Sequence, residues 1–337
     1  MKVAEIGEFG LIDLLARMIA GTRSQQSLSW QNLVLGIGDD AAVWRGDASL
    51  QLATVDSLIQ DVHFSLEIMP WYDLGWKALA VNLSDIAAMG GVPKYVLVAL
   101  ALPGETEVED IEEFCRGMLA LADQQDVALV GGDTCRAPLV TVTTTVLGKG
   151  AGDGQKILAR SAAQPGDRVA VTGFLGGAAA GLEMLRQGLE ITSEAAEASR
   201  QAFLKPFPRV KEGQLLVKNG VKAAIDISDG LVADLGHLCQ SSGVSARIQV
   251  DRVPLHPGVR DNFPDRALEL VLSGGEDYEL LFTAQDEVVQ RVRQASKCPV
   301  TVIGEIEAGK GGVVYLVDVA GEPVNLAKMG WEHFQVE

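Results

Sequence analysis

Short runs that join glycine to aspartate or glutamate constrain this chain more than any other feature, and the run Gly36-Ile37-Gly38-Asp39-Asp40 is the first of them. Two glycines let the backbone bend sharply, and two adjacent carboxylates turn an oxygen-rich face toward a ligand. The spacing Gly36-x-Gly38-x-x-Ala41 also fits a dinucleotide fingerprint. That fingerprint offers helix amides to a pyrophosphate, whereas here two negative charges fill the turn and residues 42–46 have no helical period. Carboxylates hold a phosphate only through a metal ion, so the turn is either a metal-binding element or an exposed Asx-rich turn.

Further runs of this kind recur along the chain. Thr54-Val55-Asp56 closes a strand expected over 49–55 and leads toward His63. Asp85 interrupts an apolar helix expected over 72–89, where a lone buried carboxylate would be costly without a partner. Residues 127–130 read as a buried strand entering Gly131-Gly132-Asp133-Thr134. Asp226-Ile227-Ser228-Asp229-Gly230 follows a short apolar strand; Asp226 and Ser228 share a face of an extended segment, and Asp229 is placed to cap the next helix. Ser273-Gly274-Gly275-Glu276-Asp277 precedes a strand expected over 278–283 and reads as a turn or as part of the same chemistry. Clustered hard carboxylates are the usual means of holding Mg²⁺ near phosphates.

The remaining pattern is α+β, with helices and strands mixed in both halves. Helical spacing predicts a helix over 7–19 with Gly21 as its stop, and Thr106-x-x-Glu109 reads as a capping box opening a helix to about residue 126. The apolar strand expected over 95–102 needs cover. The glycine-rich stretch 148–154 divides the chain into domains over 1–150 and 151–337. Glycines at 173, 176 and 177 before a helix either admit a phosphate to its amides or permit close packing.

Charge narrows the partners. There are 28 Lys plus Arg against 45 Asp plus Glu, a net of −17, which repels nucleic acid and anionic membrane alike. No apolar run reaches the roughly 18 residues of a membrane span, and Glu5, Glu8, Asp13 and Arg17 interrupt the N-terminal stretch. A cytoplasmic location is therefore expected. Cys115, Cys135, Cys239 and Cys298 are far apart and form no paired zinc motif, so free thiols are expected.

Taken in order, Gly36 to Ala42, Asn82-Leu83-Ser84-Asp85-Ile86-Ala87-Ala88-Met89-Gly90, Gly131-Gly132-Asp133-Thr134, Asp226 to Leu231 and Ser273 to Leu280 resemble the thiamine-monophosphate kinase family. The resemblance implies the fold of the aminoimidazole ribonucleotide synthetase and selenophosphate synthetase superfamily. In it, an N-terminal αβ domain forms a homodimer and holds ATP, and the C-terminal domain completes the nucleotide and thiamine phosphate sites. It implies transfer of the γ-phosphoryl group of ATP to thiamine monophosphate with several Mg²⁺ ions. Asp40, Thr54, Val55, Asp56, Asp85, Asp133, Asp226 and Asp229 would be the metal ligands, with Asp40, Asp85, Asp133 and Asp226 central to catalysis. Gly132, Asp133, Arg160 and Ser228 would meet ATP, and His63, Glu276 and Trp331 thiamine phosphate. Two positions depart from the family pattern. Val55 stands where a hydroxyl residue is usual, leaving only its carbonyl, and Gly177-Ala178 replace more polar residues. The competing readings are another ATP-dependent member of the superfamily, a metal-dependent phosphohydrolase and a non-catalytic metal and nucleotide binder. Selenophosphate synthetase would need an N-terminal reactive Cys, but the first here is Cys115.

Overall fold

The computed structural model describes residues 2–22, 28–35, 43–44, 46–326 and 330. Contacts divide the chain into two compact units, 1–86 with 92–150, and 87–91 with 151–337.

The first unit comprises α1 (Val3–Thr22), α2 (Leu28–Asn32), β1 (Leu33–Leu35), β2 (Val43–Trp44), β3 (Gln51–Ile59), α3 (Trp71–Ala88), β4 (Val92–Leu102), α4 (Val108–Gln125), β5 (Ala128–Arg136) and β6 (Thr141–Lys149); the last two residues of α3 group with the second unit. Its sheet runs β3-β6-β4-β5, with only the β4–β5 pair parallel. Alternation along β6 follows the pleat: Val142, Thr144 and Val146 are buried and the intervening threonines half-exposed. On the opposite face Ala53 and Val55 stand exposed, Val55 at 59%. Trp30, Leu33 and Trp44 cover that face around Tyr95. Helices α3 and α4 meet backbone to backbone. A Cβ on Gly75 would lie 1.9 Å from the Phe114 carbonyl oxygen, and one on Gly117 1.8 Å from that of Tyr72.

Three expectations change here. Helix α1 runs through Gly21, which has open space around it and no left-handed φ, so nothing at that residue forces a stop. Helix α4 takes Glu107 as its N-cap, without a side-chain cap bond, and Thr106, one residue earlier, is buried. Strand β5 continues through Gly131-Gly132 to Arg136; a Cβ on Gly132 would stand 1.9 Å from the Val98 oxygen, so this glycine serves close strand approach and not a turn.

The second unit contains β7 (Arg168–Thr172), α5 (Gly177–Gln187), α6 (Glu194–Leu204), α7 (Val210–Asn219), β8 (Ala223–Asp226), α8 (Leu231–Ser242), β9 (Ser245–Gln249), α9 (Pro257–Asn262), α10 (Ala267–Ser273), β10 (Leu280–Ala284), α11 (Asp286–Ala295), β11 (Val300–Glu307) and β12 (Val313–Val317). Its sheet order is β12-β9-β11-β7-β10-β8, antiparallel except for β12–β9. Both alternating sets of β8 and β10 side chains are buried, so both faces of the sheet are covered there. Val171, Ile225, Leu235, Ile248, Leu281 and Ile303 are core members. No helix among the described residues is long and apolar enough to cross a membrane.

One buried ion pair ties the second unit together. Glu279, 6% exposed, accepts from Arg209 Nε (2.7 Å) and Nη2 (2.5 Å), and Thr172 Oγ1 donates to it at 2.6 Å. Removing one partner of a buried pair strands the other charge. Glu279→Ala should therefore lower stability by about 3 kcal/mol, read as a reduced urea midpoint for the second unit, with Glu279→Gln milder because it keeps an acceptor for Thr172.

Candidate active site

In the first unit Thr54, Val55 and Asp56 lie on β3, which among the described residues is an edge strand paired with β6. The alternation turns Thr54 and Asp56 to the half-buried face and Val55 outward. Thr54 Oγ1 donates to Asp85 Oδ2 on α3 through a short hydrogen bond. Asp56 is pushed up to about 6, first by burial and then by the charge and hydrogen bond of Asp85. Two carboxylates thus face each other where at least one resists ionisation, a donor set that suits a small divalent cation. Nearby polar atoms are also held back from solvent. Among the described residues, Asn82 Oδ1 on α3 and Thr144 Oγ1 on β6, directly across from Asp56, are buried without hydrogen-bond partners.

Asp133 does not lie in the same row. Pairing sets Asp56, Thr144, Val98 and Gly132 level with one another, and Ser57, Thr143, Ala99 and Asp133 in the next row, where Asp133 is exposed. His63 follows β3 in a turn, and its Nδ1 accepts from the Ile59 amide at 3.1 Å. The neutral ring therefore carries its proton on Nε2. Asp40 falls outside the described residues, as does Trp331. Among the described residues no three His, Cys, Asp or Glu side chains converge as a metal cluster by themselves.

In the second unit Asp226 ends β8, buried at 3% exposure, and Ser228 and Asp229 are half-buried in the loop beyond it. Asp229 is not a helix cap. Gly230, at φ 122°, takes that position, while the amides of Ser228, Asp229 and Gly230 all donate to Asp234 Oδ2 at 3.0, 3.0 and 3.1 Å. Burial, then the charges of Asp226 and Asp229, push Asp234 up to about 8 against the lowering effect of those amides. The Glu276 loop lies alongside: the Glu276 amide donates to Ser228 O (2.8 Å) and that of Tyr278 to Ile227 O (2.9 Å). A Cβ on Gly275 would come within 2.5 Å of Ser228 O, and one on Gly230 within 2.9 Å of Ser273. Glu276 (φ 68°) and Tyr278 (φ 49°) adopt left-handed backbone, a strain that concentrates at functional sites. Arg160 sits exposed in a 3₁₀ turn whose carbonyl accepts from Ser242 Oγ at 2.7 Å.

Asp277 answers the question of the glycines at 173–177. Its carboxylate accepts from the amides of Gly176 (2.6 Å) and Ala178 (3.2 Å), so the N-terminus of α5 already holds an anion from the chain itself. Burial pushes Asp277 up to about 7 even though those amides favour the charged form. Sequence reasoning gave Asp234 no role and read Asp277 only as part of a turn or of the acidic chemistry, not as the acceptor at α5. The available signal for Asp234 was an acid in the first turn of a helix whose neighbours Leu231, Val232 and Leu235 are buried.

The model for the N-terminal domain of AIR synthase related proteins matches residues 38–149, and that for the C-terminal domain matches 164–317. The two mixed α/β units are therefore of that class. Thiamine-monophosphate kinase of Salmonella typhimurium is 40% identical over 338 residues, covering 97% of this chain and 98% of its own. The crystal structure of thiamine-monophosphate kinase from Stenotrophomonas maltophilia K279a superposes with a TM-score of 0.81 at 40% identity, over 92% of this chain and 96% of that one. AaThiL complexed with AMPPCP and TMP superposes with a TM-score of 0.77 at 33% identity, over 99% of both chains. The chain belongs to the thiamine-monophosphate kinase family.

The raised carboxylates set a sign for the metal-free protein. A folded pKa above the unfolded value contributes stability that is complete below the unfolded value, near 4, and lost as pH climbs through the folded value. Asp56, Asp277 and Asp234, at about 6, 7 and 8, place that loss between pH 5 and pH 8.5. Carboxylates shifted the other way, such as Glu197 at about 2 beside Arg200, act below that window. Burial lowers the His256 imidazole, which opposes the trend inside the window, and the three raised carboxyls outweigh it. The melting temperature in chelator should fall as pH rises from 5 to 8.5; a flat or rising profile would refute the shifts.

Proposed function

We propose that this chain phosphorylates thiamine monophosphate to thiamine diphosphate at the expense of ATP. The observation that carries the reading is the full-length similarity to AaThiL complexed with AMPPCP and TMP. AMPPCP is ATP with a methylene in place of the β,γ-bridging oxygen. The second pKa of a phosphate monoester is about 6, so at neutral pH the acceptor oxygen is already anionic and needs no general base. That oxygen attacks the γ-phosphorus, the bond to the β,γ-bridging oxygen breaks, and ADP leaves with the electron pair. The obstacle is electrostatic, because two anions must meet on a chain of net charge −17.

Magnesium ions, when bound, supply the positive charge that offsets both phosphates. Asp40, Thr54, Val55 through its carbonyl, Asp56, Asp85, Asp133, Asp226 and Asp229 are the residues assigned to hold them. The Asp56–Asp85 repulsion described above supports the first-unit part of that set. Gly132, Asp133, Arg160 and Ser228 are assigned to ATP, and His63, Glu276 and Trp331 to thiamine phosphate. His63, whose ring is oriented by the Ile59 amide on Nδ1, is assigned to the phosphate end of that substrate. Trp331 offers the indole face that a thiazolium cation prefers. Asp277 occupies the amides of α5, so the glycines before that helix are not assigned to a phosphate.

The test is incubation with ATP, Mg²⁺ and thiamine monophosphate, followed by chromatography. Equal amounts of ADP and thiamine diphosphate are expected; free phosphate without thiamine diphosphate would replace the kinase reading with a hydrolase. Asp85→Asn and Asp226→Asn should each lower kcat at least about 100-fold. For Asp85→Asn, relief of repulsion with Asp56 should leave metal-free stability no lower than in the parent.

The open part of the first-unit sheet supports a homodimer. Ala53 and Val55 are exposed, and Ala99 and Thr145 half-exposed, on a face that a second copy would cover. Sedimentation velocity at micromolar concentration should give the mass of a dimer, and a monomer there would exclude this assembly.

A further inference from the structure

Asp234 is 2% exposed, and its Oδ2 gathers three consecutive amides, those of Ser228, Asp229 and Gly230. Consecutive amides converging on one point form a nest for an acceptor oxygen, and here that oxygen is supplied by the Asp234 side chain in the first turn of α8. The amide before them, on Ile227, donates to Glu279 O at 2.8 Å. Every amide from 227 to 230 is therefore engaged within the protein, and none in that run is left for a phosphate oxygen. Besides those engaged amides, the loop carries the carboxylates of Asp226 and Asp229 and the Ser228 hydroxyl. Such a surface addresses a phosphate only across a cation.

We infer that Asp234 is the positioning residue of the second-unit acidic loop: by anchoring three successive amides it fixes where Asp226, Ser228 and Asp229 stand and makes the loop cation-binding rather than phosphate-binding. The contribution to turnover rests on the kinase reading above, whereas the anchoring and cation binding do not. Asp234 touches neither substrate in this scheme and acts through the backbone of its neighbours. Displacement of such a loop by about 1 Å is enough to cost roughly 100-fold in rate.

The experiment compares the parent with Asp234→Ala, Asp234→Asn and Asp234→Glu, using Asp226→Asn as a reference. Three quantities are read: amide hydrogen exchange over 227–230 in metal-free protein, Mn²⁺ affinity by water-proton relaxation, and kcat with KM for thiamine monophosphate. Asp234→Ala should speed exchange about 10- to 100-fold, since three amides lose their acceptor. It should also weaken Mn²⁺ binding and lower kcat at least tenfold while KM moves less than threefold. Asp234→Asn, which keeps a carbonyl oxygen in place, should recover most of each loss. If the alanine variant does not fold, the other pair decides, because glutamate keeps the carboxyl but moves it by a methylene. The inference requires Asn to outperform Glu in exchange protection and Mn²⁺ affinity, and the reverse order overturns it. Faster exchange with unchanged Mn²⁺ affinity would make Asp234 merely structural. An Asn variant as impaired in Mn²⁺ binding as Asp226→Asn, with protection intact, would make it a ligand; either result overturns the assignment. A parent that binds Mn²⁺ and protects these amides but yields no thiamine diphosphate would refute the kinase reading and leave this one standing.

Discussion

Like charges held close together in shielded surroundings are the constraint on which both acidic regions depend. An unpaired carboxylate there either recruits a donor or keeps its proton. The two units solve this differently. In the first, a strand and a helix bring Asp56 against Asp85, with the Thr54 hydroxyl as a local donor. In the second, the backbone supplies the donors: Asp234 sits in a nest of three amides, and Asp277 closes the N-terminus of α5. Fixed dipoles of this kind need no reorganisation when a ligand arrives.

Glycine and strained backbone make the second arrangement possible. The loops after β8 and before β10 extend the antiparallel pairing of those strands beyond their formal ends, through the amides of Ile227, Glu276 and Tyr278. They approach so closely that Gly230 and Gly275 have no room for a side chain. Glu276 and Tyr278 hold a conformation that costs about 1 to 3 kcal/mol each in non-glycine residues. Glu279, the residue that follows Tyr278, is itself held by the buried pair with Arg209.

The mixed α+β character of both halves was legible because helical and strand periods are strong in segments such as α4 and β6. So were the acidic runs, which stand out by composition alone. Local reading failed where a distant partner decides. Gly131-Gly132 looks like the end of a strand until β4 lies beside it, and Thr106 looks like a cap until it is buried. Asp229 has every local property of an N-cap, yet a carboxylate five residues further on takes its amide. The glycines before α5 read as an anion site, which they are, but the anion is Asp277, a hundred residues away in sequence. Nothing in a single sequence reveals which distant carboxylate fills a nest.

The backbone contact between Gly230 and Ser273, and between Gly275 and Ser228, has a consequence for inheritance and for engineering. Neither segment can change its path without moving the other, so the two are one object encoded in two places. A chimera that takes residues 226–234 from one relative and 273–279 from another would combine surfaces shaped for different partners, whereas exchanging both together would transplant an intact unit. Recombination within this fold should therefore tolerate breakpoints in the exposed turns far better than between these two stretches.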